Sequence, residues 1–261
     1  MLFGTNGVRG KFNELTPEFA LRIAQGIGVF FKRGKVLVAR DGRVTGECLK
    51  SVVISGLLAV GCEVIDLDFA SAPTAEFALK KLKGDGLIII TASHNPPEWN
   101  ALKVVDSDGV TISKERGEEI DKVMRRAELV QWNKVRKTIR YGEATHEHIE
   151  EMKKLVDPAK MKGIKVVLDC GNGMASLVAP KLFRDLGCEV VSINSDVDGT
   201  FPGRPSEPTE ANLKELIVSV KELKANCGIA WDGDGDRVVL VDENGNYVVG
   251  DKVYALAALE K

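Results

Sequence analysis

The chain has 261 residues, 44% hydrophobic and 28% charged, enough apolar material for a large core or for two domains. A net charge of -2 gives no overall pull toward nucleic acid, and no apolar run approaches the ~20 residues of a membrane helix. Five cysteines, with no Cys-x-x-Cys pair and several inside apolar runs, predict buried, reduced thiols of a cytosolic protein.

In chain order, Leu2 to Gly10 places three glycines and an arginine in a short loop or hairpin. Glycine lets backbone approach a ligand and arginine offers a fork for phosphate oxygens, although a glycine-rich turn with a surface arginine is the plainer reading. Thr16-Pro17 predicts a helix start, with Phe19, Ile23, Ile27 and Phe30 on one apolar face and Gly34 as its end. Val36 to Ala39 reads as a short buried strand, followed by the loop Arg40-Asp41-Gly42-Arg43 and a helix with Leu49, Val53 and Leu57 on a common face. Gly61 closes that helix, and Glu63 to Leu67 is a second strand. A third helix, Thr74 to Leu82, leads into Leu87 to Ile90, whose β-branched side chains predict a buried strand of a parallel sheet.

Leu102 to Val105, the turn Ser107-Asp108-Gly109 and a helix from Ser113 to Ala127 complete a first domain. The basic segment Lys122 to Arg140 reads as a solvated helix end and strand surface. His146 and His148, two apart on an amphipathic stretch, diverge on a helix and predict no metal site.

From Lys165 the pattern starts again, with a strand to Asp169, a tight turn Gly171-Asn172-Gly173 into a helix ending at Gly187, and a strand from Glu189 to Ile193. Gly61-Cys62-Glu63-Val64 returns as Gly187-Cys188-Glu189-Val190 at the same helix-to-strand junction, which argues for two similar domains in tandem. A polar loop, Asp198 to Pro205, and a helix from Thr209 to Leu223 precede the strand Gly228 to Trp231. The predicted fold class is α/β: two tandem, similar doubly wound α/β/α domains, residues 1–150 and 151–250, with mixed, mostly parallel sheets.

Chemistry gathers at two strand ends. Thr91-Ala92-Ser93-His94-Asn95-Pro96-Pro97 follows the Ile88 strand, at the carboxyl edge where open parallel sheets bind ligands, and its prolines keep a helix from absorbing the serine. We read Ser93 as the carrier of a phosphoryl group. Asp232-Gly233-Asp234-Gly235-Asp236-Arg237 follows the Gly228 strand; three carboxylates so close repel one another unless a cation sits among them, and hard oxygen donors favour Mg²⁺, Ca²⁺ or Mn²⁺. A surface acidic turn is the bland alternative. An EF-hand fails because Arg237 stands where its loop needs glycine and Val238 to Val241 reads as a strand. A phosphatase with an aspartyl nucleophile would leave the Ser93 loop unemployed.

Three motifs together, Phe3-Gly4-Thr5-Asn6-Gly7-Val8-Arg9-Gly10, Thr91 to Pro96 with Asn100 and Lys103 behind it, and Asp232 to Arg237, resemble the α-D-phosphohexomutases, the family of phosphoglucomutase, phosphomannomutase and phosphoglucosamine mutase. The resemblance implies an enzyme that interconverts hexose 6-phosphate and hexose 1-phosphate through a phosphoserine at Ser93. It further implies Mg²⁺ held by Asp232, Asp234 and Asp236 against that phosphoserine, and a hexose 1,6-bisphosphate as phosphoryl donor. His94 and Lys103 would assist proton transfer, Arg9 and Arg237 would balance phosphate charge, and Asn95 and Arg43 would join in binding. The implied partner is a phosphosugar, with no nucleic acid and no membrane, in the cytoplasm; the oligomeric state and the choice among mannose, glucose and glucosamine stay open. A non-catalytic phosphosugar-binding or regulatory module is the alternative.

Asn6 stands where many members carry aspartate or serine, and Ala101 where glycine is usual. Members of the family have four domains, the third with a sugar-specificity loop of the Gly-Glu-x-Ser-Gly-His type and the fourth with a loop for the substrate's phosphate. Neither loop occurs here, so residues 251–261 are expected to open a third domain and residues 1–261 alone to give little or no turnover.

Overall fold

A computed structural model describes residues 7–259. The chain divides into two compact units, the second of which takes in the tetrapeptide Ser93–Pro96 besides the residues from Thr145 onward.

The first unit contains β1 (Val8–Lys11), α1 (Pro17–Phe30), β2 (Lys35–Arg40), α2 (Gly46–Ala59), β3 (Glu63–Phe69), α3 (Ala72–Leu82), β4 (Gly86–Ile90), β5 (Trp99–Asp106), α4 (Lys114–Met124) and β6 (Thr138–Arg140). Its sheet runs in the order β1-β5-β4-β2-β3-β6. β2, β3, β4 and β6 are parallel, while β5 is antiparallel to both β4 and β1, so the sheet is mixed. Alternation along β4 feeds two cores. Ile88 and Ile90 pack with Ile23, Ile27, Leu49, Val53, Leu57 and Ile120 of α1, α2 and α4. Leu87 and Ile89 face the other way, onto Ala75, Ala78 and Leu79 of α3.

Local chemistry sets the helix starts. Thr16 Oγ1 accepts from the Phe19 amide at 3.3 Å with Pro17 in the first turn of α1. Phe19 and Phe30, expected on its buried face, are only half-buried; the face is Ala20, Ile23, Ala24 and Ile27, and the Phe30 ring lies under the Arg116 guanidinium at 4.6 Å. α3 begins earlier than expected because Ser71 caps it, its Oγ accepting from the Thr74 amide at 3.2 Å.

The second unit contains α5 (Ala144–Lys153), α6 (Pro158–Met161), β7 (Lys165–Asp169), α7 (Ala179–Asp185), β8 (Glu189–Ile193), α8 (Lys214–Glu222), β9 (Cys227–Trp231), β10 (Val238–Asp242), β11 (Tyr247–Val248) and α9 (Gly250–Leu259). Its sheet order, β11-β10-β9-β7-β8, repeats the first unit's: β7 is parallel to β8 and β9, and β10 is antiparallel to β9 and β11. Val167, Ala230, Val239 and Val241 pack with Leu216 and Val220 of α8 on one face. Val166, Leu168 and Ile229 pack with Ala175 and Ala179 on the other.

The long helix expected before Gly187 is shorter. A 3-10 turn over Met174–Leu177 comes first and α7 starts at Ala179, since Pro180 has no amide hydrogen and fits only a first turn. The helix expected from Thr209 likewise splits into a 3-10 turn, Glu210–Asn212, and α8. Cys62, Cys170 and Cys188 are buried free thiols as expected, and Cys227 is half-buried; Cys48 is exposed, because α2 buries Leu49, Val53 and Leu57 and turns Cys48 outward. No helix among the described residues is long and apolar enough to cross a membrane.

Candidate active site

β4 is buried along its whole length, and at its carboxyl end Thr91 Oγ1 donates to Asp41 Oδ2 at 2.8 Å. Ser93 follows with φ of 51°, the left-handed region that costs a residue with a Cβ ~1–2 kcal/mol. Contacts within the second unit hold it there. The Ser93 hydroxyl donates to Asp232 Oδ2 at 2.6 Å, its carbonyl accepts from Ser206 Oγ at 2.9 Å, and His94 Nδ1 lies 3.3 Å from Ser93 Oγ.

The partner loop follows β9, which is buried in the sheet, and it also joins β9 to antiparallel β10. Asp232 and Asp234 are buried, Asp236 is exposed, and one oxygen from each lies within 4.8 Å of the others. The amides of Gly235 and Arg237 donate to Asp232 Oδ1 at 3.1 and 3.2 Å, which leaves Oδ2 facing the serine. Gly233 has no room for a side chain: a Cβ there would lie 2.7 Å from Ser206 Oγ and 2.8 Å from the Ser93 carbonyl oxygen. Behind it the Met174 amide donates to the Gly233 carbonyl at 2.9 Å, so the Gly171-Asn172-Gly173 turn backs the acidic loop.

Burial, and then the neighbouring charge of Asp236, push the Asp232 carboxyl above the usual carboxylate range. A divalent cation would relieve both costs, and a donor set of three carboxylates suits Mg²⁺ or another hard ion. Among the described residues this is the only cluster of three or more such groups.

Of the residues expected to form the site, Ser93, His94, Asp232, Asp234 and Asp236 come together in the second unit, which also holds Asn95, half-buried, and Arg237, exposed with Nη1 3.5 Å from Glu207 Oε1. Arg9, Arg43 and Lys103 belong to the first unit. Arg9 is exposed on β1, paired with Ala101 of β5. Lys103, half-buried on β5, has Nζ 3.5 Å from Glu76 Oε1. Arg43, expected to join in binding, is fully buried: its Nε donates to Asp41 Oδ2 at 3.0 Å and its Nη1 to the Trp99 carbonyl at 3.0 Å. Phe3 to Asn6 of the first motif lie outside the described residues.

Three residues escaped the sequence reading. Asp169, at the end of β7, is buried and bonded to Arg204 Nε at 2.8 Å, and Ser206 reaches the Ser93 carbonyl. A carboxylate closing an apolar strand was the available signal, since burial obliges it to find a cation.

Known proteins share this architecture. The family models described as phosphoglucomutase/phosphomannomutase, alpha/beta/alpha domains I and II, match residues 1–131 and 146–245. A phosphoglucomutase/phosphomannomutase from Thermococcus kodakarensis is 45% identical over 98% of this chain and 58% of its own length. A probable phosphoglucosamine mutase from Methanopyrus kandleri is 42% identical over 97% of this chain and 56% of its own. The crystal structure of a phosphoglucomutase/phosphomannomutase family protein from Burkholderia thailandensis superposes with a TM-score of 0.88 at 30% identity, over 99% of this chain and 59% of that one. The chain thus spans a little over half the length of the relatives it matches.

Proposed function

The chain belongs to the phosphoglucomutase/phosphomannomutase family, and from that premise we propose that it is the N-terminal portion of a phosphohexomutase that carries a phosphoryl group on Ser93. The observation that supports this most directly is the 2.6 Å hydrogen bond from Ser93 Oγ to Asp232, one of three clustered carboxylates. Mg²⁺ held by Asp232, Asp234, Asp236 and an oxygen on Ser93 would supply charge to neutralise the phosphoryl group in transit.

The rest falls to the chain's own groups. Ser93 Oγ attacks a phosphorus of hexose 1,6-bisphosphate, and the Oγ–P bond forms as the bond from phosphorus to the sugar oxygen breaks. His94, whose Nδ1 lies 3.3 Å from Oγ, takes the serine proton, and Lys103 assists protonation of the departing sugar oxygen. The products are a phosphoserine and a hexose monophosphate. The phosphoserine then gives its phosphoryl group to the free hydroxyl of an incoming hexose monophosphate, and the bisphosphate so formed reorients and returns its other phosphoryl group to Ser93, which completes the exchange between 1- and 6-phosphates. Arg9, Arg237 and Asn95 balance and orient phosphate oxygens, while Arg43 orders the loop after β2.

On this reading residues 1–150 form the phosphoserine domain, 151–250 the metal domain, and 251–261 open a third, in a cytoplasmic enzyme. The groups that choose the sugar lie outside these residues. Remote contacts supply much of the binding energy that catalysis uses, so the 261-residue chain turns over hexose phosphates poorly by itself. Incubation with ³²P-labelled glucose 1,6-bisphosphate and Mg²⁺ should label the wild-type chain and leave Ser93→Ala unlabelled. A wild-type chain that takes up no label would overturn the proposal and favour a non-catalytic phosphosugar-binding module.

A further inference from the structure

The loop after Phe201 holds a buried strut. Arg204 and Ser206 are 6% and 4% exposed, and the guanidinium ties three segments together. Its Nε donates to Asp169 Oδ2 at 2.8 Å, at the end of β7. Its Nη2 donates to the Trp231 carbonyl at 2.7 Å, one residue before the acidic loop. Its Nη1 donates to the carbonyls of Pro205 and Ser206 at 3.0 and 3.3 Å, which fixes its own loop. Gly171 makes room for it, since a Cβ there would lie 2.7 Å from Nη2. From that anchored loop the Ser206 hydroxyl donates to the Ser93 carbonyl at 2.9 Å and touches the space over Gly233.

We infer that Arg204 and Ser206 are positioning residues, which fix the distance between the serine and the acidic loop by gripping Ser93 and Trp231 from one rigid support. Two observations converge on this. Ser93 occupies a left-handed conformation that serine does not favour, so something outside its own segment must hold it. Ser206 Oγ supplies a hydrogen bond to its backbone, as Asp232 supplies one to its side chain. Neither Arg204 nor Ser206 contacts the reacting oxygen in these bonds; they act through the backbone on either side of it.

The inference rests on Ser93 being the phosphoryl carrier, and the test separates the two. The rate constant and the final amplitude of Ser93 labelling are followed for wild type, Ser206→Ala and Arg204→Lys, with ³²P-labelled glucose 1,6-bisphosphate and Mn²⁺ or Mg²⁺. Ser206→Ala should slow labelling about tenfold, the kinetic equivalent of one buried hydrogen bond, at unchanged donor half-saturation and near-wild-type amplitude. Arg204→Lys keeps the charge but loses the fork, and should also raise the Mn²⁺ concentration needed for half-maximal rate, because its bond to Trp231 steadies the acidic loop. An amplitude that falls while the rate constant stays at the wild-type value would mean fewer folded molecules and would overturn a positioning role. So would a Ser206→Ala rate equal to wild type. Absence of label on the wild type would instead remove the phosphoserine reading, and this inference with it.

Discussion

The two units place the same loop at the same point of the same sheet and load it with opposite chemistry. After β4 of the first sheet, the connection to β5 runs from Thr91 to Glu98 and delivers a hydroxyl on Ser93, which is taken into the second unit; after β9 of the second sheet, the connection to β10 runs from Asp232 to Arg237 and delivers three carboxylates. Each follows a buried strand and returns antiparallel. The loops differ in what their backbones tolerate: the second residue of one is Ala92, buried with its Cβ accommodated, and that of the other is Gly233, where no Cβ fits. A repeated scaffold fixes where a loop sits, while small-residue choices within it fix how closely another segment approaches.

The comparison breaks most completely at the reacting pair. Ser93→Ala should abolish phosphoryl labelling. Asp232→Asn, which keeps the shape but removes charge, should slow it about a thousandfold, as measured by label incorporation at saturating donor.

Next come the buried ion pairs that close the first strand of each parallel core. Asp41 follows β2 and Asp169 closes β7, yet Asp41 takes Arg43 from its own loop whereas Asp169 takes Arg204 from a distant one. Burial pushes the Asp41 carboxyl up against the pull of Arg43, so this pair is held against a real desolvation cost. Removing either aspartate takes the paired carboxylate from a buried arginine and should cost ~3–5 kcal/mol in urea unfolding. Asp169→Ala should in addition slow Ser93 labelling in the molecules that remain folded, because it loosens the segment that grips Ser93. Asp41→Ala should affect the strand end after β2 and leave that grip in place.

A smaller effect isolates the close approach itself. Gly233→Ala should cost ~1–3 kcal/mol of stability from overpacking, and it should slow labelling by pushing on the Ser93 carbonyl. Ala92→Gly on the other loop should cost about 1–2 kcal/mol, through backbone entropy and the loss of one buried methyl, without crowding Ser93. Labelling slowed equally by the two substitutions would show that the two loops are not distinguished by crowding.

These pairs also mark what the sequence discloses. Strand ends, the Thr16 cap and the tandem repeat were legible because they rest on local rules: periodicity, capping and a short motif that recurs. The three aspartates were legible because charge repulsion makes their spacing anomalous without a cation. The bonds from Ser206 to Ser93 and from Arg204 to Asp169 were not, since they join residues 113 and 35 positions apart and leave no period in the letters. Ser93's left-handed backbone was hidden for the same reason, being imposed by distant contacts. Arg43's bond to Asp41 was hidden because a loop arginine looks identical in the letters whether or not a carboxylate two residues away takes its guanidinium.

The smallest expected difference lies at the next strand, where the repeats diverge in charge. β3 ends in Asp66 and Asp68, which share Lys50 and Arg40 with Glu47, whereas β8 offers only Ser192 and, just beyond it, Asn194. For Lys50, burial favours the neutral amine, but the Asp68 hydrogen bond and the charges of Asp66, Asp68 and Glu47 outweigh it and raise the pKa. For Asp68, burial favours the acid, but hydrogen bonds from Lys50 and Arg40 outweigh it and lower the pKa. The raised lysine contributes stability that is full below its unfolded value of ~10.4 and lost as pH rises through the folded value. The lowered aspartate contributes stability that is present above ~3.9 and lost as pH falls through the folded value. With half of the Asp68 side chain exposed, solvent screening limits the contribution to about 1 kcal/mol, or ~3 °C in midpoint. Lys50→Met should therefore lower the thermal midpoint near neutrality and converge with wild type at both pH extremes. A Lys50→Met penalty that ignores pH would mean that the lysine acts through its buried stem and not through its charge.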